Sequence, residues 1–283
     1  MAKLTRLTEE KLIELYKVQR KSLEDIAKLY GASRVAIFKK LKKLHIKPRS
    51  KSLARLEAQK QGKVPQQYFQ INEKFFSSWS SKMAYVLGLI ITDGCITKEG
   101  SVSLSMNDRE ILEKVKSAMA SEHPVAKSKR QPGLHHFNFA RQGIVNDLAR
   151  LGVGPRKSLT VKFPPIPKAY IADFIRGVFD GDGSVFFRKD NKKYPLMTSF
   201  CSCSKDFIIE LEVHLQKLGL PGRNIYQQRT KNGLFYNIKF SHKNSQKLFD
   251  ILYKNYPNIP FLERKYNKFI EGFKRSVEYV ERA

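Results

Sequence analysis

The N-terminal part of the chain has apolar residues at the spacing of short helices. In LTEEKLIELYKVQ and SLEDIAKLY they recur every three or four positions, and Ser22 opens a capping box at the start of the second stretch. Gly31 interrupts the pattern, as a tight turn requires, and a third apolar stretch begins at Ser33 and ends before Pro48. The pattern predicts three short helices over residues 1–48.

After a polar, basic stretch at residues 49–74, which is typical of a linker, the pattern becomes longer and occurs twice. The apolar stretches VLGLIITDG at 86–94 and IRGVFDGDG at 175–183 have helical spacing. Each is followed by two strand-like segments, an amphipathic helix, two more strand-like segments and a further helix. This order predicts an α+β fold with a pseudo-twofold duplicated αββαββα arrangement, with repeats at 75–160 and 161–283.

Charge narrows what such a protein is expected to bind. The 283 residues include 53 Lys and Arg against 26 Asp and Glu, with a net charge of +11 over residues 1–60 and +16 over 61–283. Because cations that neutralise phosphates release condensed counterions, both parts are expected to bind nucleic acid. A ribosomal or membrane-surface binder, or a basic protein that is merely kept soluble by its charge, is the alternative.

Other features exclude several classes of protein. No run approaches the roughly 20 apolar residues of a membrane span, and the N-terminus lacks the apolar stretch of a secretory signal. The three cysteines, Cys95, Cys201 and Cys203, form no paired C-x-x-C unit, which argues against a disulfide framework or a structural zinc site. We therefore expect a soluble intracellular protein, in cytoplasm, nucleoid or organelle, with no membrane partner.

The N-terminal helices resemble a helix-turn-helix domain. Small Ala27 lets two helices cross closely, Gly31 provides the turn, and apolar Ile37 anchors the third helix. The resemblance implies that the third helix enters the major groove of DNA, with Arg34, Lys39 and Lys42 toward base edges or phosphates. A helical hairpin that only packs against the larger domain is the alternative.

Two features of the repeated motifs are unfavourable by themselves. Gly88 and Gly177 each cost roughly 1 kcal/mol in a helix interior, which close approach of two helix backbones would justify. Asp93 and Asp182 stand at helix C-termini, where the helix dipole disfavours a negative charge. If the helices pack side by side, the two carboxylates also repel each other. A divalent cation between them would remove that cost, so the motifs predict a helix interface that ends in a metal site.

The pair VLGLIITDG and IRGVFDGDG resembles the two motifs of the single-chain LAGLIDADG homing endonucleases, and the resemblance extends over about residues 76–275. It implies a saddle of two four-stranded antiparallel sheets over DNA, with the motif helices at its centre. It also implies that Asp93 and Asp182 are catalytic and bind Mg²⁺, with the backbone carbonyls of Thr92 and Gly181 as further ligands. Mn²⁺ is expected to substitute, and Ca²⁺ to bind without supporting cleavage.

The resemblance extends to a pair of lysines after the third helix of each repeat. Lys157 and Lys265 match the family's active-site lysine, which stabilises developing charge or orients water; two lysines that only meet phosphates are the alternative. The earlier acidic position of the motif is Asp180 in the second copy but Ile91 in the first, and we expect Asp180 to cap or hydrogen-bond locally. The polar residue that positions water is expected among Met106, Asn107, Cys203 and Ser204.

The outward residues of the two sheets are expected to face the major groove, although the sequence leaves the register open. The first repeat offers Lys98, Ser101, Ser103, Lys127, Lys129, Arg130, His135 and Arg141. The second repeat offers Arg188, Lys192, Lys193, Arg223, Tyr226, Gln228, Arg229, Lys231 and Lys239.

The function that follows is a site-specific double-strand DNA endonuclease. It is expected to act as a monomer on a long asymmetric duplex, cutting both strands across the minor groove with a divalent metal and leaving short 3′ overhangs. Two alternatives stay open. One is a DNA-binding regulator that uses the same scaffold without cutting, and the other is a maturase that binds an intron RNA.

Overall fold

The computed structural model describes residues 6–63, 69–97, 99–188, 195–230, 233–254 and 259–281. The chain divides into two compact units, Met1–Tyr68 and Phe69–Ala283. The expected DNA contacts Lys98, Lys192, Lys193 and Lys231 lie outside the described residues. None of the helices in the described part is long and apolar enough to cross a membrane.

The first unit is helical. Helix α1 (Glu9–Ile13) continues as one turn of π-helix (Glu14–Val18) and is followed by α2 (Leu23–Leu29), α3 (Arg34–Lys43) and α4 (Lys51–Lys60). The apolar positions of the sequence pattern form its core: Leu7, Leu12, Ile26, Ile37 and Leu41 are fully buried.

Local hydrogen bonds fix the starts of these helices. Ser22 and Asp25 form the complete capping box that the sequence predicts, with both reciprocal bonds at the start of α2. Ser33 caps α3 by accepting a hydrogen bond from the backbone N–H of Ala36. Gly31 between them has a φ of +58°, so the turn uses the conformation that glycine tolerates best.

The second unit has the repeated order of elements. Its first half contains α5 (Ser81–Asp93), β1 (Gly94–Ile96), β2 (Ser101–Met106), α6 (Arg109–Ala118), β3 (Val125–Lys127), β4 (His135–Ala140) and α7 (Gln142–Arg150). Its second half contains α8 (Ile171–Asp182), β5 (Ser184–Phe187), β6 (Leu196–Ser202), α9 (Lys205–Lys217), β7 (Tyr226–Thr230), β8 (Gly233–Phe240), α10 (His242–Tyr253) and α11 (Glu263–Glu281).

Each half builds one four-stranded antiparallel sheet, in the orders β1-β2-β4-β3 and β5-β6-β8-β7. In β2, Val102, Leu104 and Met106 are buried while the serines between them are half-exposed. The same alternation occurs in β6, so one face of each sheet packs on the helices of this unit. The other face, here called the open face, carries none of the helices described in this unit. The predicted α+β duplication is confirmed by this arrangement.

Helices α5 and α8 pack directly against each other through their glycines. A Cβ added to Gly88 would lie 2.4 Å from the carbonyl oxygen of Phe174, and one added to Gly177 would lie 2.1 Å from that of Tyr85. No side chain fits in either place, so the backbones themselves meet. A continuous apolar core surrounds this crossing and extends under both sheets.

Candidate active site at the ends of the two central helices

The two central helices end at Asp93 and Asp182, and each chain then passes through a glycine into the first strand of its sheet. The two ends lie side by side. A Cβ added to Gly181 would lie 1.9 Å from the hydroxyl of Thr92 and 2.7 Å from Oδ2 of Asp93. The crossing of the helices therefore brings together Asp93, Asp182 and the two residues that precede them.

The site disfavours the ionised form of both carboxyl groups. Asp182 reaches solvent, but partial desolvation by the surrounding protein, and then the charge of Asp93, raise its pKa to about 6. Asp93 is half-buried, and desolvation raises its pKa as well. Within the described residues, the Asp93 carboxylate accepts one long hydrogen bond from the Thr92 hydroxyl (3.4 Å), and no ion pair neutralises either acid.

This donor set fits a hard divalent cation. Mg²⁺ is commonly held by one or two carboxylates together with phosphate and water oxygens, rather than by a complete protein cage. The described residues contain no group of three His, Cys, Asp or Glu side chains suited to a metal. A cation here would thus take the carboxylates of Asp93 and Asp182 and oxygens outside the side chains, to which the carbonyls of Thr92 and Gly181 can add.

Two buried lysines, Lys157 and Lys265, lie at the C-terminal ends of the central helices, close to the two acids. Lys265 donates from its ammonium to the carbonyl oxygens of Phe179 (2.6 Å), Asp180 (2.8 Å) and Gly181 (3.2 Å). Lys157 donates to the carbonyl oxygen of Gly94 at 2.6 Å. Both ammonium groups thus occupy the negative ends of the central helices, where a cation is favoured.

The electrostatics of the two lysines follow from their burial. Burial lowers the pKa of Lys265 to about 8, against the opposing effect of Asp180. Burial also lowers the pKa of Lys157, against the opposing effects of Asp182 and Asp93. Both acids interact electrostatically with both lysines, so the four side chains form one cluster.

Asp180 does not hydrogen-bond locally, and that expectation was wrong. Its fully buried carboxylate accepts hydrogen bonds from Tyr85 in the other central helix (2.8 Å), from Tyr253 (3.2 Å) and from the backbone N–H of Leu262 (2.8 Å). These partners lie 73 to 95 residues away in the sequence. Local sequence reasoning had no signal for them.

The structure separates the candidates for a polar residue beside the acids. Met106 packs in the core, and buried Ser204 donates its hydroxyl to the carbonyl of Val161 (2.7 Å). Asn107 and Cys203 are exposed just beyond their strands.

Sequence reasoning missed a closer polar residue. Cys201 lies on the open face, and its thiol donates to the carbonyl oxygen of Asp182 at 3.2 Å. Its counterpart in the first repeat is Ser105, because Cys201 lies two residues after the partner of Ser184 and Ser105 lies two residues after the partner of Cys95. Ser105 hydrogen-bonds His136 at 2.8 Å. The strand alternation was the signal that could have found both.

The register decides which expected DNA contacts lie on the open face. Ser101, Ser103, Tyr226, Gln228 and Lys239 do so. Exposed Lys129 and Arg130 lie in the turn between β3 and β4, and exposed Arg188 follows β5.

Several expected contacts lie elsewhere. His135 alternates with buried Phe137, so it belongs to the core side of the sheet, and its partner Lys127 has the same parity. The open-face histidine is instead His136. Arg229 likewise pairs with Leu234 on the core side of its strand.

Two arginines that we expected to bind DNA are used within the protein. Arg141 forms an ion pair with Glu73 (3.0 Å) and donates to the carbonyl of Phe69, so it anchors the first residues of this unit. Arg223 stacks over the ring of Phe240, on the core side. The open-face amides Asn138 and Asn237 were not anticipated.

In the first unit, helix α3 carries the three expected cations on its surface. Arg34, Lys39 and Lys42 are all exposed. Two apolar side chains are exposed beside them, Val35 (60%) and Phe38 (38%), and Lys42 lies over the Phe38 ring at 5.8 Å.

Comparisons with known proteins agree with this geometry. The family model described as "LAGLIDADG-like domain" matches residues 80–136 and 169–252, which include both motifs. The crystal structure of the LAGLIDADG homing endonuclease I-GzeII in complex with its DNA target superposes with a TM-score of 0.50 at 12% identity, covering 72% of this chain and 92% of that chain. At that identity the likeness concerns the fold alone. The I-LtrWI homing endonuclease bound to target DNA gives a TM-score of 0.47 at 13% identity, covering 73% and 92%.

One curated relative has a different description. The probable translation initiation factor IF-2 of Methanocaldococcus jannaschii is 29% identical over 233 residues, which are 76% of this chain and 18% of that protein. The chain thus spans less than a fifth of the length of that relative, and the description of the whole relative does not extend to it.

Proposed function

The chain belongs to the LAGLIDADG-like family in its two-motif form, and from this premise we propose that it is a site-specific DNA endonuclease that cuts both strands of a duplex. The observation that carries the proposal is the pairing of Asp93 and Asp182 at two helix C-termini, where both are accessible to a ligand. Neither acid forms an ion pair among the described residues. A protein that only binds DNA gains nothing from two such carboxylates. The carboxylates are suited to a metal beside a phosphate.

We assign different roles in the reaction to the acids and the lysines of the site. Asp93 and Asp182 would hold the metal, with the carbonyls of Thr92 and Gly181 as further ligands. When bound, Mg²⁺ supplies Lewis acidity at a phosphoryl oxygen and lowers the pKa of a bound water. Lys157 and Lys265 stabilise negative charge that develops beside the helix ends. Mn²⁺ is expected to replace Mg²⁺, and Ca²⁺ to support binding alone.

The open faces of the two sheets would bind the duplex. Their side chains include small hydrogen-bonding residues suited to base edges, among them Ser103, Asn138 and Gln228. Because one chain supplies two different faces, the protein is proposed to bind as a monomer to a long asymmetric site. Cleavage on both strands across the minor groove would leave short 3′ overhangs.

The first unit is proposed to be a second DNA-binding module. Its α3 helix presents Arg34, Lys39 and Lys42 on the surface. A module tethered to the larger unit raises its own effective concentration once the other has bound, which increases affinity for the combined site.

The test begins with a ligand that the protein itself selects. The full chain in Ca²⁺ is used to enrich a random duplex library, and the enriched duplex is then incubated with Mg²⁺ or EDTA. Metal-dependent cutting of both strands at one position is expected from the wild type. Asp93→Asn and Asp182→Asn should lose cutting but keep binding, whereas the control Asp206→Asn, an exposed acid in the first turn of α9, should cut normally.

Other outcomes would replace the proposal. Tight, sequence-specific binding without cutting in Mg²⁺ or Mn²⁺ would identify a regulator. Failure to enrich any duplex, together with selective binding of a structured intron RNA, would identify a maturase. Full cutting by either Asn variant would remove the proposed metal role.

A further inference from the structure

The two active-site lysines are held in different ways. Lys265 donates to three successive carbonyls of α8, whereas Lys157 donates to the single carbonyl of Gly94. A fully buried carboxylate, Asp180, lies on the Lys265 side. The corresponding position of the first motif, two residues before Asp93, is the apolar Ile91.

Asp180 is connected to Lys265 through the start of α11. Its Oδ2 accepts the backbone N–H of Leu262 at 2.8 Å. The carbonyl of Leu262 in turn accepts the backbone N–H of Lys265 (3.0 Å) and of Tyr266 (3.2 Å), so it begins the helix. One turn later, the ammonium of Lys265 returns to the carbonyl of Asp180 itself at 2.8 Å.

These bonds form a closed series from the Asp180 carboxylate through Leu262 and Lys265 back to the Asp180 carbonyl. Tyr85 and Tyr253 donate their hydroxyls to the two oxygens of the carboxylate, which leaves Asp180 little rotational freedom. Leu262 is itself buried. A side chain so constrained fixes the backbone at Leu262, and through it the direction in which Lys265 leaves α11.

We propose that Asp180 is a positioning residue for Lys265, and that the two halves of the active site therefore act unequally on the two DNA strands. The half that contains Lys265 depends on the Asp180 acceptor. The first half has the apolar Ile91 at the corresponding position, and among the described residues Lys157 bonds to the Gly94 carbonyl and not to the partners of Asp180. We therefore expect the half that contains Lys157 to depend on Asp180 much less. The activity part of this inference rests on the proposed endonuclease function, and the positional part does not.

The proposal requires a hydrogen-bond acceptor for the backbone N–H of Leu262. Two substitutions of Asp180 differ in whether they keep that acceptor. Asp180→Ala removes the acceptor. Asp180→Asn keeps a carbonyl oxygen that can accept the backbone N–H of Leu262. Its side-chain NH₂ group would face Tyr253 and donate to the tyrosine hydroxyl, which can act as an acceptor. Asp180→Asn is thus the conservative variant that should restore the position of Lys265.

The activity test measures cutting of each strand separately, on the selected duplex labelled differently on its two strands. Asp180→Ala should slow one strand about 10- to 100-fold, as misplacement of a catalytic group does, and change the other less than about twofold. Lys265→Met should slow the same strand, and adding Asp180→Ala to it should cause no further loss on that strand. Asp180→Asn should cut both strands nearly as fast as the wild type. Equal slowing of both strands by Asp180→Ala would overturn the proposal.

A second measurement needs no cleavage. Amide hydrogen exchange in the full-length wild type should show Leu262 protected as strongly as the core of α8, with protection lost in Asp180→Ala and kept in Asp180→Asn. The segment around Lys157 should not change in either variant. If the wild type cuts no duplex but shows this exchange pattern, the proposed function fails and the positioning stands.

A third variant guards against loss of folding. Asp180→Ile fills the volume and copies the first repeat, and it should expose the Leu262 amide as Asp180→Ala does. Rapid exchange at Leu262 in the wild type, or unchanged protection in both apolar variants, would overturn the proposal.

Discussion

Gly88 and Gly177 face each other where the two central helices cross, and a Cβ added to Gly177 would lie 3.1 Å from the Cα of Gly88. The two backbones are in direct contact, and there is no room for a side chain between them. It determines how close the helix ends come and therefore how close Asp93 and Asp182 lie. The same crossing therefore contributes to the stability of the unit and sets the geometry of the candidate active site.

Gly88→Ala should destabilise the second unit although alanine favours helices. The new methyl would lie 2.4 Å from the carbonyl oxygen of Phe174 and 2.7 Å from the backbone nitrogen of Val178, so α8 has to move. We expect a loss of about 1–3 kcal/mol in the free energy of unfolding, as overpacked cores show. Urea denaturation of Gly88→Ala and the wild type measures this loss.

The control is Gly143→Ala, in the first turn of α7. Its added methyl would meet nothing closer than 3.8 Å, so it should stabilise by up to about 1 kcal/mol. If Gly88→Ala behaved like Gly143→Ala, the helices would not be in backbone contact.

Much of this fold could be predicted because its signals are local. The helix starts at Ser22 and Ser33, the repeated order of elements and the two glycine motifs all depend on residues within a few positions of each other. The family match confirms the recognition of the motifs.

What the sequence did not reveal depends on long-range geometry. The partners of Asp180 come from three distant segments, and nothing near Asp180 indicates them. His135 and His136 differ by one position, and the pairing of β2 with β4 fixes which of them faces the open side. The alternation of His135 with Phe137 and Phe139 was a local signal for the same result that our prediction from the sequence did not use. Arg141 resembled a DNA contact because it is a cation near a strand end, whereas its ion pair with Glu73 depends on where the chain enters the unit.

The pKa of Asp182 gives a pH prediction. Its ordinary value is 3.8 and its folded value is about 6, so the folded protein holds the proton more tightly than the unfolded chain. The ionised group therefore reduces stability progressively as the pH rises from about 4 to about 6, and the cost stays constant above that range. In EDTA, Asp182→Asn should melt at a higher temperature than the wild type above pH 7, and the difference should vanish near pH 4.

Two controls isolate that effect. Asp206→Asn changes an exposed acid in the first turn of α9, and it should not raise the melting temperature above that of the wild type. Mg²⁺ should raise the melting temperature of the wild type at pH 7.5 more than that of Asp182→Asn, because a ligand stabilises the state that binds it. If Asp182→Asn melted with the wild type at every pH, neither desolvation nor the charge of Asp93 would destabilise the ionised Asp182 carboxylate.

In strand β7, the adjacent residues Gln228 and Arg229 allow the two faces of the sheet to be compared as DNA-binding surfaces. All five of its side chains are exposed, but Gln228 pairs with Phe235 on the open face and Arg229 pairs with Leu234 on the opposite face. Gln228→Ala should relax the sequence preference at one or two positions of the selected duplex, because a lost contact to a base edge costs about 1–3 kcal/mol. Arg229→Ala should leave the preference unchanged and weaken binding slightly on every duplex. Selection repeated with each variant measures both, and a relaxed preference only in Arg229→Ala would invert the assigned face.

The first unit can be tested through the salt dependence of binding. Each cation that neutralises a phosphate contributes about one unit to the slope of log affinity against log salt concentration. Replacing Arg34, Lys39 and Lys42 by alanine should therefore lower the affinity of the full chain for the selected duplex and reduce the slope by up to about three. The matched variant removes the same charge from α1, the π-turn and α2, with Lys11, Lys17 and Lys28 replaced by alanine, all three of them exposed in the structure. If α3 enters DNA, the first triple variant loses much more than the second, whereas an equal and small loss in both would mean that the unit contributes only a diffuse charge.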